Sequence, residues 1–241
     1  MKRLSALLIG MLALCCQAQQ SYPKDFFDYP LDTRVSFTGK APTITDFLVS
    51  FLNQDETSEV LGSLEIAWNH YVQGEPQEPC VQFMVDEKNG YLRHTDDSQL
   101  CEDLEDEDED EEYEEYDVKS YIEMCYWNCA DGKHKLLAEN CITIIDGKYA
   151  LTEYSGISFF IYDNDSRKLF LVSEEDIGAY IEPELDDAAT DTGKALTAFD
   201  DKAIVVYWLP QQGKDINVEI VSGTKREEAR LVWDGMRFKR Q

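Results

Sequence analysis

Asp106, Asp108 and Asp110 occupy the first, third and fifth places of a twelve-residue calcium loop, and Asp117 occupies the twelfth. Such a loop wraps a hard cation in alternate oxygen ligands, turns sharply at a sixth-place glycine and closes with a bidentate Glu. Here the sixth place is Glu111 and the last ligand is an Asp. The match therefore implies weak capture, of roughly millimolar strength, by a flexible segment. It lies inside Glu102 to Asp117, where thirteen carboxylates are interrupted only by Leu104, Tyr113 and Tyr116. Like charges without a counter-charge repel and stay hydrated, so residues 101–117 are expected to form a disordered acidic surface loop. Asp163 and Asp165 also start like a calcium loop, but Arg167 takes the fifth place, and a hairpin turn is the expectation there.

The second chemistry to weigh is a thiol activated by an imidazole. The histidines are His70, His94 and His134, and an Asp131-Gly132 turn would set His134 opposite Cys129. Hairpin geometry alone produces that adjacency, so no catalytic role is assigned to the pair. The HExxH, GxSxG and GxxxxGK[ST] patterns are absent. A glycosidase-like carboxylate pair depends on separation in space, and 49 acidic residues offer too many candidates to choose from. No metal ligand is assigned beyond the calcium match, and no cofactor is expected.

Cys80, Cys101, Cys125, Cys129 and Cys141 are too many to pair completely. Cys125 and Cys129, four residues apart in a strand, would be separated by about 13 Å. A disulfide needs roughly 4.4 to 6.8 Å between alpha carbons. These two are expected neither to bond each other nor to share a zinc. Other pairings stay open, with burial in the core as the competing fate of each thiol.

The amino terminus sets the compartment. Lys2 and Arg3 precede an apolar run from Leu4 to Leu14, and Cys16-Gln17-Ala18 supplies small residues for a cut. Residues 1–18 are read as a signal peptide cleaved between Ala18 and Gln19. The run is too short for a membrane span, and the residues before Cys15 and Cys16 do not favour lipidation. The expected product is exported, periplasmic or extracellular, with no transmembrane segment in the mature chain. A net charge of -27 argues against nucleic acid and anionic lipid as partners.

The elements that must position all this follow from periodicity. Residues 19–42, with prolines and aromatics, read as an extended lead-in. Ile44, Phe47, Leu48, Phe51 and Leu52 mark a helical stripe capped by Thr43 and Asp46, and Val60 to Val72 repeat the pattern until Gly74 and Pro76. Residues 43–100 are thus a helical hairpin plus a β-hairpin turning at Asn89-Gly90. Residues 118–241 read as an antiparallel β domain with turns at Asp131-Gly132 and Asp163-Asn164-Asp165. Ala203 to Leu209, apolar on both faces, is expected to be a central strand. A two-residue Asp234-Gly235 turn would set Trp233 opposite Met236 and Leu231 opposite Phe238, burying those four and exposing Arg230, Arg237 and Lys239. The fold class is α+β: an N-terminal helical hairpin followed by consecutive antiparallel hairpins.

Cys125-Tyr126-Trp127-Asn128, Gly132-Lys133-His134-Lys135-Leu136 and Leu231-Val232-Trp233-Asp234-Gly235 resemble segments of uncharacterised secreted proteins of Gram-negative bacteria. The resemblance covers the C-terminal half and implies location and fold, with no activity attached. Together these readings describe a noncatalytic exported binding protein of the envelope or extracellular space, with a protein or surface glycan as partner. The alternatives are a carboxylate-based hydrolase acting on glycans and a calcium-responsive module using the acidic tract.

Overall fold

The computed structural model describes residues 22–54, 59–97, 117–152, 155–182 and 203–241. The cleavage site at Ala18 and Gln19, the ligand candidates Asp106, Asp108 and Asp110, and Cys101 lie outside these residues. β-Branched and aromatic runs make the strands: β1 (Pro30–Arg34), β2 (Val81–Asp86), β3 (Tyr91–Asp97), β4 (Val118–Asn128), β5 (His134–Ile145), β6 (Lys148–Ala150), β7 (Gly156–Asp163) and β8 (Lys168–Val172). They form one sheet in the order β1-β8-β7-β5-β4-β3-β2, with β6 sharing the outer edge of β5. A second sheet follows the order β12-β11-β10-β9, from β9 (Ile204–Trp208), β10 (Ile216–Ser222), β11 (Lys225–Trp233) and β12 (Phe238–Arg240). Every described pairing is antiparallel.

Helix α1 (Ile44–Leu52) begins at a reciprocal cap: the Thr43 hydroxyl accepts from the Asp46 N–H, and the Asp46 carboxylate accepts from the Thr43 N–H at 2.8 Å. Helix α2 (Glu59–Gln73) ends where Gly74 takes φ +69°, its N–H donating to Tyr71 O while the Glu75 N–H reaches His70 O. Ile44, Phe47 and Leu48 of α1 and Leu64 and Ala67 of α2 join Phe83, Leu92, Ile122, Met124 and Leu137 in one buried cluster. Both helices therefore cover the same face of the large sheet. The connection that would make them a hairpin, residues 55–58, lies outside the described residues.

The opposite face of that sheet carries Cys125, Trp127, Leu136, Ala138, Phe159 and Ile161 against Ile216, Val218, Leu231, Trp233 and Phe238 of the smaller sheet. The layers are helices, large sheet, small sheet. Burial on both faces explains why apolar residues stand at successive positions in β4 (Met124 to Trp127), β5 (Leu136 to Ala138) and β7 (Phe159 to Tyr162), because both alternating sets of side chains must leave water.

Two strand readings require correction. Ala203 to Leu209 is not central: β9 is the edge of the small sheet. Its free backbone edge is tucked against the large sheet, where Asn140 and Glu123 replace a neighbouring strand. Its two faces are covered in part: Val206 and Tyr207 are buried, while Ile204, Val205 and Trp208 are half-buried. The closing hairpin is shifted by two residues, pairing Trp233 with Phe238 and Leu231 with Arg240. Asp234 Oδ1 accepts the N–H groups of Met236 and Arg237 at 2.9 Å, and only Gly235 takes positive φ, so the turn centres one residue later than a two-residue Asp-Gly turn. A shift of two preserves the strand's faces. Leu231, Trp233, Met236 and Phe238 are all buried, while Arg230, Arg237 and Lys239 are exposed.

Candidate functional site

Each sequence-derived chemical candidate has a place in this frame or falls outside it. Asp117, the last of the calcium set, is exposed at the start of β4, where it braces a strand end: its N–H donates to Asp146 Oδ1 at 3.1 Å and its carbonyl accepts the Asp146 N–H. His70 is exposed on α2, with Glu75 at 3.6 Å. Among the described residues, no group of three or more His, Cys, Asp or Glu side chains is arranged to hold a metal ion.

Cys129 and His134 do meet across the β4–β5 turn, through the Cys129 N–H and the His134 carbonyl. Their side chains are otherwise engaged. His134 Nδ1 bonds Asp131 Oδ2 at 2.5 Å, its Nε2 lies 3.7 Å from Asp163 Oδ1, and its ring packs against Tyr22 and Phe27. Burial works against the Asp131 carboxylate, but bonds from the His134 ring and from the Lys133 and His134 N–H groups hold its pKa below the usual range. Asp163 is likewise held low against burial by bonds from Ser166 and the Asp165 N–H. The imidazole thus ties the β4–β5 turn to the β7–β8 turn. The Cys129 thiol contacts the Tyr22 hydroxyl at 3.4 Å, and burial pushes it up to about 11. A nucleophilic thiol needs the opposite shift. Cys80, Cys125 and Cys141 are free thiols as well.

The sheets are joined by a buried polar seam. Glu123 accepts from the Tyr91 hydroxyl at 2.6 Å and from the Leu209 N–H at 3.0 Å, and its cross-strand neighbour Asn140 donates to Tyr207 O at 2.7 Å. These bonds satisfy the outward backbone of edge strand β9. Burial raises the Glu123 pKa, with Tyr91, Leu209 and Arg93 pulling it partly back. Its closed surroundings make Glu123 a brace.

Among the described residues, two open concavities stand out. One, of about 620 Å³, lies on the outer face of the small sheet around Trp208, Asn217 and Glu228. Part of its charge is already paired: Glu219 accepts from Trp208 Nε1 and pairs with Arg226, and Arg230 pairs with Asp215 at 2.5 Å.

The other, of about 490 Å³, is a groove built by the segment after β8. Ile177, Ala179 and Ile181 are buried, so the intervening Tyr180 must point outward, where it is 51% exposed. The wall is held by the Ala179 N–H to Glu174 O at 2.7 Å and by the Phe238 N–H of β12 to Ile177 O at 2.8 Å. Gly178, at φ +69°, permits this approach, since a Cβ there would lie 2.5 Å from Phe238 O. Tyr29, 72% exposed, enters from the segment before β1, where its carbonyl accepts the Leu171 N–H, and Leu171 is 47% exposed beside it. Three of the large apolar side chains that remain in water are thus gathered in one groove.

The chain matches no known family model, no curated protein and no solved structure. No helix among the described residues is long and apolar enough to cross a membrane.

Sequence reasoning missed the groove because its residues come from three separated stretches, 25–29, 157–159 and 171–180, that carry no motif. The alternation from Ile177 to Ile181 was a usable signal for the outward Tyr180. The glutamate brace left less trace, since an acid within an apolar strand is legible but its partners are not.

Proposed function

We propose that this chain is a noncatalytic exported protein of the envelope or extracellular space that binds a protein or surface glycan through the groove between Tyr29 and Tyr180. The observation that carries this reading is the exposure of both tyrosines and Leu171 on a wall fixed by core residues. Aromatic side chains bury a large area for little conformational entropy, and a prearranged wall lowers the ordering cost of association. The engagement of the Cys129 thiol and the His134 ring in packing and turn bonds weighs against nucleophilic catalysis. Export is supported by the sequence pattern through Ala18.

The location is tested by amino-terminal sequencing of the protein recovered from periplasm and medium. A start at Gln19 is expected, whereas retention of Met1 or a lipidated start at Cys15 or Cys16 overturns it. The binding role is tested by screening immobilised peptides and glycans for retention and for turnover. Retention that is lost in a Tyr29→Ala, Tyr180→Ala double variant is expected, and turnover of a glycan would favour the hydrolase instead.

A further inference from the structure

The groove between Tyr29 and Tyr180 is lined by Asp25, Glu174, Glu175 and Asp176, and among the described residues neither lysine, arginine nor histidine lines it. Glu174 is turned inward, accepting the Tyr207 hydroxyl at 3.2 Å, and burial raises its pKa. Asp176 accepts the Ser173 hydroxyl at 2.7 Å within the turn. Asp25, Glu175 and Asp176 therefore place a one-signed field around two exposed aromatic rings. This differs from the concavity on the small sheet, where Arg230 is part of the lining and Arg226 pairs with Glu219.

A neutral glycan would gain from ring stacking but would leave that field uncompensated. A cationic side chain uses both features at once, because an ammonium or guanidinium group is drawn to the face of an aromatic ring and to neighbouring carboxylates. The apolar floor, which includes Leu171, asks for an apolar side chain between the cations. The volume of about 490 Å³ suits a few residues of peptide, within the usual range of about 300 to 1,000 Å³ for binding clefts.

We infer that the groove binds a cationic peptide segment, with lysine or arginine side chains over Tyr29 and Tyr180 and an apolar side chain on Leu171. This rests on the binding role proposed above and names the class of its partner. The overall charge of the protein would draw any polycation weakly, so the test must separate the groove from the surface at large.

Fluorescence anisotropy is measured with a labelled peptide alternating lysine and phenylalanine, at about 50 and 150 mM salt. The full mature protein and variants whose circular dichroism is unchanged are compared. Binding that weakens with salt is expected, with a loss of about tenfold or more in Tyr29→Ala, Tyr180→Ala and in Glu175→Lys. Glu65→Lys, which reverses an exposed charge on α2, over the opposite face of the large sheet, is expected to change affinity less than about twofold. A Glu65→Lys effect as large as that of Glu175→Lys would show that the peptide reads only net charge, and would overturn the inference. Absence of peptide binding would overturn it too. If a neutral oligosaccharide instead binds and is lost in the tyrosine variant, the binding role stands and the peptide class falls. Oligosaccharide turnover without binding of the peptide would remove both.

Discussion

Two buried polar clusters on opposite faces of the large sheet are desolvated under opposite terms. On the face toward the small sheet, Glu123 and Asn140 meet the backbone of β9 and the Tyr91 hydroxyl, so the desolvated atoms have partners. On the helix-covered face, His94 is 2% exposed with Phe83 and Ile122 as its cross-strand neighbours, and neither ring nitrogen meets a partner in hydrogen-bond geometry. Burial lowers the His94 pKa, with Asp96 and the nearby Gln82 backbone opposing only in part. Glu139, opposite Met124 on this same face, is pushed up to about 7 by burial. The comparison teaches that a second sheet offers backbone donors and acceptors along its edge, whereas a helix spends its own internally and presents side chains alone.

The contrast can be broken most sharply on the sandwich side. Trp233→Ala, which removes a buried ring packed on Trp127 and Phe238, is expected to cost about 3 to 5 kcal/mol in a urea melt. Glu123→Ala should cost about 2 to 3 kcal/mol, since the Leu209 N–H and Tyr91 hydroxyl lose their acceptor. A smaller loss would mean that the seam is not what holds β9 in place.

On the helix side, replacement should help. His94→Leu is expected to stabilise by about 1 to 2 kcal/mol near pH 7, because an unpartnered buried polar group is removed. The benefit should grow with acidification. The folded pKa lies below the ordinary 6.5, so the unfolded chain takes up the proton first and stability falls as the pH drops below 6.5. Urea midpoints of wild type and variant at several pH values measure this, and parallel curves would refute it. Glu139→Gln should act with the opposite pH sense. Its folded pKa of about 7 exceeds the ordinary 4.5, so the penalty of ionisation is present above 7 and relieved as pH falls through 7 toward 4.5. Solvent reaches part of this side chain, so the gain is expected to be only about 1 kcal/mol at pH 8. The smallest effect belongs to Arg237→Ala, on the exposed face of the closing hairpin, at within about 0.5 kcal/mol.

The polar contrast was only half legible in the sequence. A two-residue Asn89-Gly90 turn would set His94 opposite Val85, whereas the four-residue turn 87–90 sets it opposite Phe83. The shift of two keeps His94 on the same face, so its burial was legible from alternation. The bonds that Asn140 and Glu123 make with Tyr207 O and the Leu209 N–H join residues 67 and 86 positions apart. No local pattern encodes such a meeting.

By itself the sequence determined the antiparallel hairpins, both helical segments and their caps, and the buried face of the closing strands, because each rests on spacing within a few residues. The tertiary structure decided the order of the strands, the edge position of β9, the two-residue shift at Asp234-Gly235, and the placing of Tyr29 and Tyr180 in one groove. Those depend on which distant surfaces bury one another, and side-chain periodicity fixes a face without naming its partner.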